Sequence, residues 1–177
     1  MHRLFVALRP PLAMRTYLLS RMGGVPGARW QDDAQLHLTL RFIGEVDRPQ
    51  AEDIAAALGT ITQPRPTITL RGSGAFDRKG KVHTLWAGVA RDDGLSALYE
   101  RINRALIRAS VGPDERAFTP HITLARLNSA AGPVESFLAR TTDLSSPPAT
   151  LDAFLLYEST LGHGGPIYEA VARYPLT

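Results

Sequence analysis

Short apolar runs alternate along the chain with longer segments in which apolar residues recur every three or four positions. The longest such segment follows Asp92-Asp93, and it predicts a helix that ends before Gly112 and packs its apolar face on a sheet. Shorter helices are predicted over residues 10–22, 47–59 and 134–140, where proline or aspartate provides the start signal or the apolar spacing is helical.

Seven runs rich in apolar and β-branched residues predict strands. They span residues 4–8, 36–43, 67–70, 82–89, 121–126, 151–157 and 167–174. The glycine-bearing stretch 72–76 is predicted to be a loop, and residues 79–81 the tip of a hairpin. Strands and helices in this mixed order are typical of the α+β class. No linker interrupts the pattern, so we expect a single domain over residues 1–177.

Two of the predicted strands begin with the same pattern, His37-Leu38-Thr39-Leu40 and, 84 positions later, His121-Ile122-Thr123-Leu124. Side chains two apart in a strand share a face, so each stretch presents a histidine and a threonine on one side and two apolar residues on the other. This repeat predicts one site built from two strands.

The paired motifs have the residue types that acid–base chemistry on a phosphodiester requires. Histidine titrates near neutral pH, so one ring can donate a proton while the other accepts one. A threonine hydroxyl can donate a hydrogen bond to a phosphoryl oxygen. Arg126 follows His121 by five residues and Arg41 follows His37 by four, and either guanidinium could neutralise the phosphate. The motifs alone leave the two histidines interchangeable.

Other catalytic classes lack their residues in this chain. There is no cysteine, which excludes disulfides, thiolate metal sites and a cysteine nucleophile. No His-x-x-x-His spacing provides the start of a metal site, so no metal ligands are predicted. Gly72-Ser73-Gly74 has neither the ending of a P-loop nor the spacing of a nucleophile elbow, so use of ATP is not expected.

The net charge is +3, and Lys79 and Lys81 are the only lysines beside eighteen arginines. Arginine binds phosphate well, but we attribute the overall ratio to coding bias and count only arginines near a motif. No apolar stretch is long enough to cross a bilayer. We expect a cytoplasmic protein that acts as a monomer and has no membrane partner.

The remaining histidines have a structural interpretation. His2 is terminal, and His163 lies in a glycine-rich turn. His83 directly precedes Thr84, which predicts opposite strand faces for the two side chains. Trp86 is expected to be a packing residue.

With their flanking residues, the two motifs resemble the 2H phosphoesterase superfamily and, within it, the RNA 2′,3′-cyclic phosphodiesterases that are also called 2′-5′ RNA ligases. Besides the paired motifs, the resemblance rests on segments 3–8, 29–30, 36–45, 85–89, 118–126, 156–159 and 165–168. It implies a bilobal fold: two pseudo-symmetric lobes with antiparallel sheets facing a central cleft and helices outside. One motif, 37–40 or 121–124, belongs to each lobe.

The resemblance also implies an activity. Enzymes of this family open 2′,3′-cyclic phosphates at RNA ends to leave 2′-phosphates, without a metal or nucleotide cofactor, and the reverse reaction is an ATP-independent 2′-5′ ligation. By position, His37 is then the proton donor to the departing 3′ oxygen and His121 the proton acceptor for the attacking water. Thr39, Thr123 and Arg126 are the substrate-binding residues.

Two alternatives stay open at this point. A non-catalytic module that binds RNA ends would bind saturably and with salt sensitivity, but would form no product. A 2H phosphodiesterase acting on small 2′-5′ or cyclic nucleotides would be distinguished by offering mononucleotides, oligomers and 2′-5′ dinucleotides in parallel.

Overall fold

The computed structural model describes residues 1–177 and confirms the α+β class. The strands are β1 His2–Leu8, β2 Arg29–Trp30, β3 Leu38–Val46, β4 Thr67–Ile68, β5 Leu70–Arg78, β6 Lys81–Val89, β7 His121–Arg126, β8 Ala149–Thr150, β9 Ala153–Gly162 and β10 Gly165–Pro175. The helices are α1 Leu12–Arg21, α2 Arg48–Leu58, α3 Asp93–Arg108 and α4 Glu135–Arg140. None of these helices has the length and apolar character needed to span a bilayer.

Eight strands form one antiparallel sheet in the order β10-β9-β1-β3-β7-β6-β5, with β2 beside β7, while β4 and β8 pair separately. The sheet has two halves, which meet where β3 lies beside β7. Within a half the pairing is long: β1 pairs with β3 over the whole length of β1. Between the halves the one recorded pair is Leu38 with Ile122. Each half therefore contributes one of the two His-x-Thr motifs at a narrow central junction.

The two faces of the sheet have different coverings. In β1, Leu4, Val6 and Leu8 belong to the main core, which also includes buried residues of all four helices. Phe5, between them, lies in a separate small cluster with Tyr157. Alternate residues of a strand point to opposite faces, so the helices pack on one face and the aromatic cluster lies on the other.

Helix starts follow the predicted caps. The Asp92 side chain accepts a hydrogen bond from the backbone N–H of Leu95 at the start of α3. The Asp47 side chain accepts one from the backbone N–H of Gln50 at the start of α2. Each bond satisfies an N–H group that has no partner within the first helical turn, which is why aspartate at these positions is informative.

The predicted loop at residues 72–76 is wrong, because these residues lie within strand β5. Glycine here provides space for close packing. A Cβ atom on Gly74 would overlap the Trp86 ring, and one on Gly88 would overlap the carbonyl oxygen of Arg71. Two further strands, β2 and β8, have two residues each and are too short to produce an alternating pattern.

We predict that Gly74→Ala destabilises the protein by about 1–3 kcal/mol, because the new methyl group overlaps the Trp86 ring and forces it to move. Thermal unfolding measures this change. Gly164→Ala is the matched control, since a Cβ atom there meets nothing within 4 Å and should change stability by at most about 0.5 kcal/mol. Equal melting temperatures for the two variants would contradict the packing role of Gly74.

Candidate active site

The structure brings the two His-x-Thr stretches side by side at the junction between the two halves of the sheet. Leu38 of β3 lies opposite Ile122 of β7 in antiparallel register. One step to either side, the same register brings His37 to the level of Thr123 and Thr39 to the level of His121. All four side chains that the sequence proposes for one site are thus gathered by one strand contact.

Both imidazole rings are held in the same way. The Nδ1 atom of His37 is 2.7 Å from the carbonyl oxygen of Gln35, and Nδ1 of His121 is 2.6 Å from the carbonyl oxygen of Thr119. A carbonyl can only accept, so Nδ1 carries a proton in each ring and Nε2 is the nitrogen that gains or loses one. Nε2 of His37 is 2.9 Å from the Thr39 hydroxyl, whereas Nε2 of His121 has no hydrogen-bond partner.

Aromatic side chains support each ring. The His37 ring lies 4.9 Å from Phe5 and 5.1 Å edge-on from Tyr168. The His121 ring lies 4.9 Å edge-on from Phe76 and 6.1 Å from Trp86. Sequence reasoning missed the neighbours Phe5, Tyr168 and Phe76, because they come from strands far from the motifs in the chain. The two sides of the site therefore share one construction: a histidine fixed by its backbone and packed against aromatic rings.

The two candidate arginines differ in their surroundings. The Arg126 guanidinium donates a hydrogen bond to the buried Thr84 hydroxyl at 3.0 Å and lines the cleft. The Arg41 side chain is buried and donates to the Asn103 side chain and to the Gly112 carbonyl. Arg126 is therefore the arginine available to an anion. Arg41 instead connects β3, through hydrogen bonds, to α3 and to the segment that follows α3.

Burial lowers the pKa of both histidines. For His37 it lowers the pKa to about 4, and the positive charges of Arg126 and Arg9 add to this effect. For His121 desolvation also lowers the pKa, and Arg126 again contributes in the same direction. The guanidinium of Arg126 is thus close enough to influence both rings. Without an anion in the site, both histidines are neutral at pH 7.

Cavities open on both sides of the junction. One of about 400 Å³ contains Thr39 and His121 and reaches Arg116 at its rim. A second, of about 540 Å³, contains Phe5, Tyr168 and Arg126 and shares Arg116 with the first. Volumes of this size suit small ligands or the end of a polymer. No three histidine, aspartate or glutamate side chains are grouped so that they could hold a metal ion.

His83 makes a side-chain contact that the alternation of strand faces did not predict. Its Nδ1 atom lies 2.8 Å from the hydroxyl of Thr84, so the two side chains meet although they are consecutive in β6. The same hydroxyl accepts the hydrogen bond from Arg126. His83 is therefore linked through one buried hydroxyl to an arginine of the site, which the simple alternation rule did not predict.

Comparisons with known proteins give a consistent result. The family model described as "LigT like Phosphoesterase" matches residues 13–86 and 88–168. The chain is 34% identical over 151 residues to the RNA 2′,3′-cyclic phosphodiesterase of Aeropyrum pernix. The aligned region covers 84% of this chain and 85% of that protein. It is 35% identical over 149 residues to the enzyme of that name from Thermotoga maritima, covering 82% of this chain and 78% of that protein.

A solved structure has the same fold. The crystal structure of Escherichia coli LigT complexed with 3′-AMP superimposes with a TM-score of 0.79 and 27% sequence identity, covering 99% of this chain and 98% of that one. The agreement extends over both halves of the sheet, so it includes the junction at which the two motifs meet.

We predict that Arg126→Gln raises the pKa of both His37 and His121, because the substitution removes a positive charge that opposes protonation of each ring. NMR titration of the imidazole nitrogens measures the two values separately. Arg104→Gln, which changes an exposed arginine of α3, is the control and should leave both unchanged. If neither value moved in Arg126→Gln, the charge of Arg126 would not act on the two rings and the prediction would be wrong.

The low pKa of His37 has a consequence for stability. In the unfolded chain this histidine has a pKa near 6.5, so between pH 6.5 and about 4 the unfolded state binds more protons than the folded state. The free energy of unfolding should therefore fall as the pH falls through this window. In His37→Asn the fall should be smaller, as denaturant unfolding at several pH values would show.

Proposed function

The chain belongs to the LigT-like phosphoesterase family of the 2H phosphoesterases, and on this basis we propose that it hydrolyses 2′,3′-cyclic phosphate ends of RNA to 2′-phosphates by acid–base catalysis between His37 and His121. The observation that carries the mechanism is that Nδ1 of each ring is bonded to a backbone carbonyl, so that Nε2 is the nitrogen that exchanges a proton. The two halves of the sheet are the two lobes of this proposal.

In the proposed reaction, Nε2 of His121 accepts a proton from a water molecule as its oxygen attacks phosphorus. The bond between phosphorus and the 3′ oxygen breaks, and His37 delivers its Nε2 proton to that oxygen. The product carries a 2′-phosphate and a 3′-hydroxyl, and water supplies the atoms added. A proton then moves from His121 to His37 through solvent to restore the starting state. General acid–base catalysis of this kind contributes roughly 10²–10⁴-fold for each group.

Thr39, Thr123 and Arg126 bind the phosphate in this proposal. Thr39 lies at the level of His121 and Thr123 at the level of His37, so each hydroxyl can reach a phosphoryl oxygen beside the opposite ring. The Arg126 guanidinium carries a fixed positive charge that favours the extra negative charge of the transition state. Its hydrogen bond to Thr84 holds it in this place.

The low pKa of His37 sets a condition on its role as a proton donor. A ring with a pKa of about 4 is mostly neutral at pH 7 and has no Nε2 proton to give. A bound cyclic phosphate places a negative charge beside the ring, which favours the protonated form and raises the pKa. The anionic substrate therefore helps to create the acid that cleaves it.

The alternatives are less well supported. Both complete motifs with matching histidine geometry are more than a binding module needs, and the relatives matched over most of the chain are named as phosphodiesterases. The complex of E. coli LigT with 3′-AMP is the observation that favours small nucleotides as additional substrates. Both histidines come from one chain, which supports action as a monomer.

Microscopic reversibility permits 2′-5′ ligation when an RNA 5′-hydroxyl replaces water. A cytoplasmic location stays a prediction from the sequence.

We expect His37→Asn and His121→Asn each to lower kcat for a 2′,3′-cyclic phosphate RNA end by at least about 10²-fold, because each removes one proton-transfer group. Asparagine retains a donor near the Nδ1 position and should preserve the fold. Turnover is followed by chromatography that separates 2′-phosphate from 3′-phosphate products. EDTA should have no effect on the wild-type protein.

His163→Asn is the matched control, since this histidine lies in the turn between β9 and β10, outside the site. It should have wild-type activity. Full activity of either motif variant, a 3′-phosphate product, or loss of activity with EDTA would each overturn the proposed mechanism.

The pH dependence of the reaction should differ between the free and the substrate-bound protein. For kcat/KM, which reports the free protein, activity requires neutral His121 and protonated His37, so the profile should be bell-shaped and centred at acidic pH, because the pKa of each ring is lowered. For kcat, the substrate charge raises the pKa of His37, so the alkaline limb should lie at higher pH. Coincident alkaline limbs in the two profiles would contradict this role of the substrate phosphate.

A further inference from the structure

A cavity of about 710 Å³ lies beside the catalytic cleft and is lined by cationic side chains. Arg29, Arg78, Lys81 and Arg126 face it, together with polar residues that include His83 and Asn128, and no acidic residue lines it. The proposed catalytic mechanism uses only Arg126 from this set. The cavity therefore needs its own explanation.

The charges in this cavity are not neutralised by the protein. Elsewhere in the chain, arginines pair with carboxylates: Arg15 with Asp33, Arg21 with Asp143 and other pairs. None of the four cations of the cavity has a carboxylate within 4.0 Å. A concave surface with several unpaired positive charges attracts an anion and raises its local concentration.

The cavity is continuous with the site of the proposed reaction. Arg126 and Tyr168 line both this cavity and the one that contains Phe5. Arg78 and His83 line both this cavity and the one that contains His121. A ligand whose phosphate lies between the two histidines could therefore extend directly into the cationic cavity.

The hairpin between β5 and β6 supplies much of the charge. Arg78 and Lys81 pair across its end, and Lys79 and Gly80 form the turn with positive φ angles of 52° and 79°. The two lysines of the hairpin are the only lysines in the chain. Arg29 approaches from the opposite side, on β2, which pairs with β7. Cations from two separate elements thus converge on one space.

We propose that this cavity binds the internucleotide phosphate on the 5′ side of the terminal nucleotide of the RNA, so that the protein recognises the last two nucleotides and not only the cyclic phosphate. The inference rests on the proposed function. An RNA end carries its next negative charge one nucleotide from the cyclic phosphate, and a second cationic space adjoining the first matches this arrangement. Arginine can contact two oxygens of such a phosphate at once.

The test compares two substrates that differ by one 5′ adenosine and its internucleotide phosphate: an adenosine 2′,3′-cyclic phosphate mononucleotide and an ApA dinucleotide ending in the same cyclic phosphate. In the wild-type protein, kcat/KM for the dinucleotide should exceed that for the mononucleotide by roughly tenfold or more. In Arg29→Ala/Lys81→Ala, the ratio of the two values should fall by roughly tenfold. Both residues are exposed, so the fold should be preserved.

Two further arms separate charge from size. A dinucleotide with an uncharged methylphosphonate linkage should react like the mononucleotide and be insensitive to the double substitution. The slope of log(kcat/KM) against log salt concentration for the charged dinucleotide should become shallower by about 0.7 for each cation removed. Arg101→Ala/Arg104→Ala, on the exposed face of α3, removes the same charge away from the cleft and should leave the substrate ratio unchanged.

Binding of the 2′-phosphate products, measured by calorimetry, tests the cavity independently of turnover. The dinucleotide 2′-phosphate should bind wild-type protein more tightly than adenosine 2′-phosphate, and the double variant should lose this difference. An unchanged ratio in the double variant, in turnover and in binding, would overturn the inference while leaving the proposed function intact. Absence of turnover with either substrate would instead overturn the proposed function. The binding measurement would still show whether the cavity binds the internucleotide phosphate.

Discussion

The site depends on the antiparallel contact between β3 and β7. The two His-x-Thr motifs are 84 residues apart in the sequence. Their strands meet where Leu38 lies opposite Ile122. Because the period of a strand is two, this register puts both histidines and both threonines on the same face of the sheet. A shift of the register by one residue would turn one motif toward the helices and separate its histidine from the other. The apolar residues Leu38 and Ile122, fully buried in the core, oppose such a shift.

The two histidines share one arrangement of the ring but have different surroundings. Both rings donate Nδ1–H to a carbonyl two residues earlier, so the backbone of each strand fixes the ring and its tautomer. The surroundings then differ. His37 has the more strongly lowered pKa and contacts the Thr39 hydroxyl, whereas Nε2 of His121 is unbonded. In the empty site this order favours a neutral His37, so its proposed role as the acid depends on the negative charge of the bound phosphate.

Sequence reasoning predicts much of this molecule because its strongest signals are local. The caps at Asp47 and Asp92, the apolar stripe of α3 and the alternation in the two motifs are each determined by neighbours within a few residues. The errors concern contacts between distant segments. Glycine in residues 72–76 usually indicates a turn, but here Gly74 makes room for the Trp86 ring from the next strand. The aromatic residues around the histidines likewise come from strands whose pairing no local pattern reveals.

The distribution of arginine shows why counting charges along the chain was uninformative. Coding bias can account for the excess of arginine over lysine, but it cannot determine which arginines have partners. Arg15 and Arg21 are bound to carboxylates, and Arg41 is buried among backbone and amide groups. Those around the cleft lack such partners and leave a positive field there. Burial is the main cause of the lowered pKa of both histidines, and the charge of Arg126 adds to it. In the proposed function, the negative charge of the bound phosphate opposes this lowering. The same charges can therefore attract the substrate and make protonation of His37 depend on its presence.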